Sequence, residues 1–368
     1  LFAENQHFCP VKQSVITAAL MQWHRRDNKR QMPWKGEKDP YKIWLSEVIL
    51  QQTRVEQGWR YYENFIRHYP TVHHLAAAPD EAVFKLWEGL GYYNRCKNLL
   101  FTARTLVQQY QGHFPGSYEQ IVALKGIGPY TAAAISSFAF NLPYAVLDGN
   151  VFRVLARLYA IDTPIDSVAG KKQFAQLAQD MLDKQEPGAF NQAMMDFGAT
   201  ICKPALPLCG HCSLQQHCAA YSQGRVNALP VKEKLLQKKT RWFTYFFIRV
   251  KNQVLVHKRT GKDIWENLYE LYLLESDEKL VWDTAAVSEW LAEQFAVTRA
   301  RVTQISPLIQ QQLTHQHIKG QFIAVQLEKI PPALQHYQWQ ELSRLHELAF
   351  PKLINSYLRE HASSPTLF

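Results

Sequence analysis

The apolar positions change their period once along the chain. As far as about residue 200 they recur every three or four positions, the interval of a helix with one buried stripe. Beyond about residue 242 they alternate or run together, as in strands. Over 14–28, Val15, Ile16, Ala19, Leu20 and Trp23 fall on one side of a helix. Asp39-Pro40 opens a second helix, in which Ile43, Glu47 and Leu50 share a face and which runs on to Gln51, Gln52 and Thr53. Helical spacing continues over 59–69, 79–88 and 98–111, and 118–124 leads into a turn. That turn, Leu124-Lys125-Gly126-Ile127-Gly128-Pro129-Tyr130, reads as a helix end, a tight glycine hairpin and a new helix, together spanning about 124–135. Gly126 and Gly128 are expected to supply positive φ and close backbone approach. Pro129 suits the first turn of a helix, where its missing N–H costs nothing.

In the last third, strands are expected over 242–250 and 254–259, joined by a turn at Lys251-Asn252-Gln253. Further strands fall over 268–275 and 321–328, and helices over 285–295 and 341–358. Between the two regimes, 222–241 turns polar and basic: Arg225, Lys232, Lys234, Lys238, Lys239 and Arg241 face only Glu233. The pattern therefore divides the chain into a helical domain (8–221), a basic linker (222–241) and a mixed α+β domain (242–360).

Several residues sit awkwardly for pure structure. Glu47 places a carboxyl group on an apolar helix face, where a buried charge is costly. Either it pairs with an arginine at the helix edge, or its site keeps it protonated and ready to donate a proton. Asp148 precedes an apolar-periodic helix, at or near its N-cap. Capping alone explains an aspartate there, but the positive helix end also favours its ionised form. Two carboxyl groups in opposite environments suit scission of a glycosidic bond through an oxocarbenium-like state. The free N–H groups of the glycine hairpin make an anion site that fits a DNA phosphate, although an ordinary helix corner would carry the same glycines. The loop Gly89-Leu90-Gly91-Tyr92-Tyr93-Asn94-Arg95 sets two aromatics beside a cation. An exposed tyrosine can slide between bases; tyrosines also pack into cores. Cys202, Cys209, Cys212 and Cys218 follow the spacing C-x6-C-x2-C-x5-C, interrupted by Pro204, Pro207 and Gly210. Four neighbouring thiolates suit zinc or an iron–sulfur cluster, and the spacing does not separate the two.

Charge narrows the partners. The formal net charge is +9 and the sequence pI about 9.1, which favours a polyanion without identifying it. No apolar run is long enough to span a bilayer. No secretory signal opens the chain, and it begins on Leu1 rather than methionine, so earlier residues are expected. Clustered cysteines without such a signal point to a reducing, intracellular setting.

The order of these parts, a hairpin with Gly126 and Gly128, an Asp148 that opens a helix, then the cysteine spacing, resembles the endonuclease III superfamily of DNA glycosylases. Leu45-Ser46-Glu47-Val48-Ile49-Leu50-Gln51-Gln52-Thr53 resembles the signature of MutY-type adenine DNA glycosylases within it. The resemblance implies a multidomain protein. An all-α helix-hairpin-helix glycosylase domain would carry a [4Fe-4S] cluster on the four cysteines of the 202–218 loop. An α+β Nudix-like C-terminal domain would follow. The implied activity is base excision repair: removal of adenine mispaired with 8-oxoguanine or guanine in duplex DNA, by a cytoplasmic, nucleoid-associated monomer.

By the same resemblance, Glu47 protonates adenine N7. Asp148 stabilises the sugar cation with a transient covalent bond, and Asn150 helps position Asp148. Tyr130 stands where lyase-active relatives carry a Schiff-base lysine, so strand cleavage should be weak or absent. Arg30 and Gln192 match positions near the adenine pocket. Gln52 and Tyr92 match residues that enter the stack around 8-oxoguanine, and Leu50 and Thr53 belong to the same DNA-facing signature. Leu313-Thr314-His315 matches a recognition loop that is often Phe-Ser-His; Leu313 departs from the aromatic, while Thr314 and His315 can hydrogen-bond a purine edge. His317 is a rival for that role. The paired glutamates of a Nudix catalytic box are missing from the sequence, so no pyrophosphatase activity is expected. Two other readings compete: an endonuclease III-like glycosylase-lyase, against which Tyr130 argues, and a silent damage-binding protein, against which Glu47 and Asp148 argue.

Overall fold

The computed structural model describes residues 10–233 and 238–361. Lys234, expected in the basic linker, lies outside the described residues. Two units form. One takes the described residues as far as Ala77 and those from Lys97 to the linker; the other joins Ala78–Cys96 to the described residues beyond the linker. Ala78–Cys96 falls inside the stretch 8–221 that the apolar pattern reads as one domain.

The first unit is helical: α1 (Pro10–Arg26), α2 (Pro40–Leu50), α3 (Val55–His68) and α4 (Val72–Ala77), then, after α5 (Asp80–Trp87) of the second unit, α6 (Asn94–Tyr110), whose first residues also belong to that unit. The series continues with α7 (Tyr118–Val122), α8 (Pro129–Phe140), α9 (Gly149–Tyr159), α10 (Val168–Met181), α11 (Pro187–Thr200) and α12 (Ala219–Ser222). Local signals fix these ends. Asp39 caps α2 by accepting from the Tyr41 N–H, and Pro40 takes the first helical position. Ile16, Leu20 and Trp23 of α1 are buried as expected, but Val15 stands exposed and Met21 takes its place inside. Trp23 meets Phe197 of α11 edge to face, with ring centroids 4.9 Å apart. The helix expected to run through Thr53 ends at Leu50, and Gln51, Gln52 and Thr53 form the turn beyond it. α9 and α11 pack closely because Gly198 has no side chain: a Cβ there would stand 2.7 Å from that of Asn150.

The glycine hairpin forms between α7 and α8, with the Ile127 N–H donating to Leu124 O. The expectation for its two glycines holds at one of them. Gly126 has φ +78°, and a Cβ there would meet that of Asn98 at 2.6 Å. Gly128 has φ −89° and open space around it, because its task is extended entry into Pro129 as the N-cap of α8.

Among its described residues the second unit holds α5, α13 (Thr284–Phe295), α14 (Lys352–His361) and eight strands: β1 (Lys239–Val250), β2 (Gln253–Lys258), β3 (Tyr269–Glu270), β4 (Tyr272–Ser276), β5 (Ala300–Ile305), β6 (Ile309–Gln312), β7 (Gln316–Leu327) and β8 (Gln338–Glu341). The path β3-β2-β1-β7-β5 carries the sheet, with β4 on β1, β6 on β7 and β8 on β2. β1 and β7 run parallel along their whole lengths; the other pairs are antiparallel. One face packs Phe246, Ile248 and Ile323 against Val287 and Leu291 of α13. On the other, Phe322 stacks on Tyr357 of α14 at 4.2 Å. β1 starts at Lys239, so the last linker residues, Lys239–Arg241, are strand. The strand expected over 268–275 divides at Leu271, where the chain passes from pairing β2 to pairing β1. The helix expected over 341–358 is interrupted: Leu342–Glu347 is a 3-10 turn, and α14 starts only after Pro351, which cannot continue a helix from before.

Candidate active site

A cavity of about 430 Å³ opens in the first unit, lined by Arg30, Ile43, Glu47, Leu50, Thr53, Tyr130, Asp148, Asn150 and Gln192 among others. Its size and mixed lining suit a small ligand. Residues far apart in sequence converge here: α2 brings Glu47, α8 Tyr130, the head of α9 Asp148 and Asn150, and α11 Gln192.

Glu47 is 7% exposed. Burial pushes its carboxyl up from 4.5 to about 7; the negative charge of Asp148 adds to the rise, and a hydrogen bond from Tyr130 opposes it. Tyr130 Oη donates to Glu47 Oε2 at 2.7 Å. Burial, then the carboxyls of Glu47 and Asp148, hold the Tyr130 phenol far above its ordinary value, so it remains a donor.

Asp148 is the N-cap of α9. Its Oδ1 accepts from the N–H groups of Asn150 (2.8 Å) and Val151 (2.7 Å), and its Oδ2 from Asn150 Nδ2 (2.7 Å). The helix start was expected to favour its ionised form. The net shift is upward instead: burial outweighs the Val151 and Asn150 hydrogen bonds and the Arg153 charge that favour the anion. Behind it, Asn150 Oδ1 accepts from Arg153 Nη2 at 2.8 Å, and Arg153 Nε donates to Cys202 O at 2.7 Å. Asn191 fixes the extended approach to Asp148: its Oδ1 accepts from the Val146 N–H and its Nδ2 donates to Tyr144 O.

Sequence reasoning missed a second polar layer. Asp196, wholly buried on α11, accepts from Arg30 Nη1 (2.8 Å), Gln192 Nε2 (3.0 Å) and Asn28 Nδ2 (2.7 Å), and Lys35 Nζ lies at 3.2 Å. His24 also lines the cavity; burial, then Lys35, lowers its pKa below 6.5. The signal for Asp196 was the one that exposed Glu47, a carboxylate in an apolar helical run, here Ala193-Met194-Met195-Asp196-Phe197.

Other expected residues lie elsewhere. Gln52 is exposed, with φ +56°. Gly126 and Gly128 are exposed at the hairpin. The four cysteines are unpaired and line a separate small cavity with Arg157, whose Nη1 donates to Cys202 Sγ at 3.4 Å. Among the described residues, no group of three or more His, Cys, Asp or Glu side chains is gathered to hold a metal ion. In the second unit Tyr92 is 43% exposed, with φ +50°, and its hydroxyl hydrogen-bonds that of Thr314. His315 is exposed in the β6–β7 turn; its rival His317 is half-buried within β7, paired with Thr240 and Gln312.

Comparison with known proteins identifies the families that both parts of the chain match. Residues 45–181 match the HhH-GPD superfamily of base excision DNA repair proteins, and 244–360 match the NUDIX domain. The adenine DNA glycosylase of Buchnera aphidicola subsp. Baizongia pistaciae is 36% identical over 258 residues, covering 69% of this chain and 72% of that protein. The chain belongs to the adenine DNA glycosylase family. The rat adenine DNA glycosylase is 42% identical over 223 residues, which cover 57% of this chain and 43% of that longer family member. Among solved structures, a thermostable thymine-DNA glycosylase superposes with TM-score 0.54 and 28% identity, covering 58% of this chain and 98% of its own. Among the described residues, no helix of this family member is long and apolar enough to cross a membrane.

Proposed function

We propose that this chain releases adenine mispaired with 8-oxoguanine or guanine from duplex DNA, with little or no cleavage of the strand. One observation carries the reading: Glu47, raised to about 7, and Asp148 line the same cavity. Near neutral pH a large fraction of Glu47 holds its proton, while a neighbouring carboxylate is available to meet positive charge.

The adenosine must leave the stack to reach such a cavity. Glu47 then gives its proton to adenine N7. The C1′–N9 bond breaks with its electron pair passing to the base. The Asp148 carboxylate, aimed by Asn150 and the Val151 N–H, meets the cation developing at C1′. Water then adds to C1′ and gives up a proton. Arg30 and Gln192 are the polar groups that recognise the base. Tyr130 supplies a phenol where a lyase needs an amine, which disfavours an imine with the sugar. Gln52 and Tyr92, both exposed and both held at positive φ, are the groups that enter the stack. Strained non-glycine backbone of this kind collects at functional sites. Thr314 and His315 read the opposite base. The exposed N–H groups of the hairpin take a phosphate.

The four cysteines are assigned to a [4Fe-4S] cluster. Four thiols lining one cavity suit zinc or an iron–sulfur cluster, and membership of the adenine DNA glycosylase family favours the cluster. When bound, it would supply thiolate–iron bonds that cross-link the 202–218 loop. Purified protein should accordingly be yellow-brown; a colourless, zinc-loaded preparation would contradict the assignment.

The deciding assay uses duplexes carrying each mispair, with alkali to reveal abasic sites. Glu47→Gln should abolish base release, by at least about a hundredfold, while leaving duplex affinity largely intact. Equal loss of binding would make Glu47 a structural residue.

A further inference from the structure

We propose that Asp196 sets the hydrogen-bond polarity of the cavity through Gln192 and Arg30, and so selects a 6-aminopurine over a 6-oxopurine. The inference deepens the reading above and rests on it.

Asp196 is 0% exposed. Its Oδ1 is shared between Arg30 Nη1 at 2.8 Å and Gln192 Nε2 at 3.0 Å. Its Oδ2 accepts from Asn28 Nδ2 at 2.7 Å and faces Lys35 Nζ at 3.2 Å. A carboxylate between a guanidinium and an ammonium has only acceptors to offer. Gln192 must therefore turn its amide nitrogen toward Asp196. Turned the other way, its carbonyl oxygen would face the carboxylate and lose the bond. One choice is left for the other end of the amide: Gln192 Oε1, an acceptor, is the group available to the cavity that Gln192 lines.

Arg30 is constrained in the same way. Asp196 holds Nη1, and the guanidinium keeps further N–H donors for the cavity that Arg30 lines. The base therefore meets an acceptor from Gln192 and a donor from Arg30. Adenine offers the complement, an amino group at C6 beside ring-nitrogen acceptors. Hypoxanthine and guanine offer the reverse, O6 beside N1–H. A base of the wrong polarity covers these half-buried groups and leaves them unpaired on both sides, which rejects it more strongly than the loss of one contact. The anchor thus makes a flippable amide one-directional.

Single-turnover base release from duplexes with adenine or hypoxanthine opposite 8-oxoguanine tests this. The wild-type protein should favour adenine by about tenfold or more, and Asp196→Asn, whose amide can donate as well as accept, should lose about tenfold of that ratio. Adding Gln192→Glu to Asp196→Asn restores a group that accepts from the base without the anchor, and should recover the ratio. An equal fall in both rates for Asp196→Asn, or a double variant that stays unselective, would overturn the proposal and leave the adenine-release reading standing. If Asp196→Asn does not fold, Gln192→Leu, which removes the anchored acceptor, decides: the adenine preference should fall about tenfold, and an unchanged ratio would overturn the proposal. Release of neither base by the wild-type protein would instead sink the functional reading itself.

Discussion

A carboxyl group that titrates near neutrality inside a protein costs stability. Between 4.5 and about 7 the folded chain keeps a proton on Glu47 that the unfolded chain has already lost. The unfolded state binds fewer protons in that window, so stability falls as pH rises through it and stays lower above it. The shift corresponds to roughly 3 kcal/mol. Glu47→Gln should therefore melt at a higher temperature than the wild type at about pH 8 and differ little at about pH 4. The same difference at both pH values would show that the raised proton affinity is not the source. Glu47 was legible in the sequence because a charge on an apolar helix face is anomalous wherever it occurs. Asp196 carried the same anomaly, but its meaning depends on Asn28, Arg30 and Lys35, which no local pattern connects to it. For Asp148, helix-end physics gave a real contribution and the wrong balance: the helix supplies two N–H donors, yet burial, invisible without the tertiary structure, outweighs them.

Elements were read well where capping and periodicity agreed, and poorly where pairing alone makes the structure. α2 shows Asp39, Pro40 and an apolar face in sequence. β6 and β8, Ile309-Gln310-Gln311-Gln312 and Gln338-Trp339-Gln340-Glu341, do not alternate in hydrophobicity; they exist because β7 and β2 offer them ladder bonds. The two hairpin glycines look alike on paper and separate by backbone angle. Gly126→Ala must accept φ +78° and a clash with Asn98, so it should cost about 1–3 kcal/mol in thermal or denaturant unfolding. Gly128→Ala has room and an ordinary φ, so its stability should change by less than about 0.5 kcal/mol. If the hairpin seats a phosphate, Gly128→Ala should still weaken duplex binding. A variant that loses neither stability nor affinity would remove the hairpin from the DNA interface.

At the scale of the molecule, the proposed function assigns the chemistry to the first unit and the reading of the partner base to the second. Replacing Thr314 and His315 by alanine should shrink the preference for adenine opposite 8-oxoguanine over adenine opposite guanine, with the release step itself largely kept. An unchanged preference would refute the loop assignment. The change of period near residue 242 announced the second unit, but nothing in it announced that Ala78–Cys96 belongs there too. That segment is tied in by Lys85 Nζ donating to Leu348 O, by Glu88 Oε1 accepting from the Phe350 N–H, and by Lys258 reaching Glu81. Anyone building chimaeras between relatives should therefore not splice at the connecting segment alone. A graft that brings a foreign C-terminal half but keeps the recipient's α5 loop would leave Lys85 and Glu88 facing the wrong seat, whereas transplanting both pieces together moves an intact module.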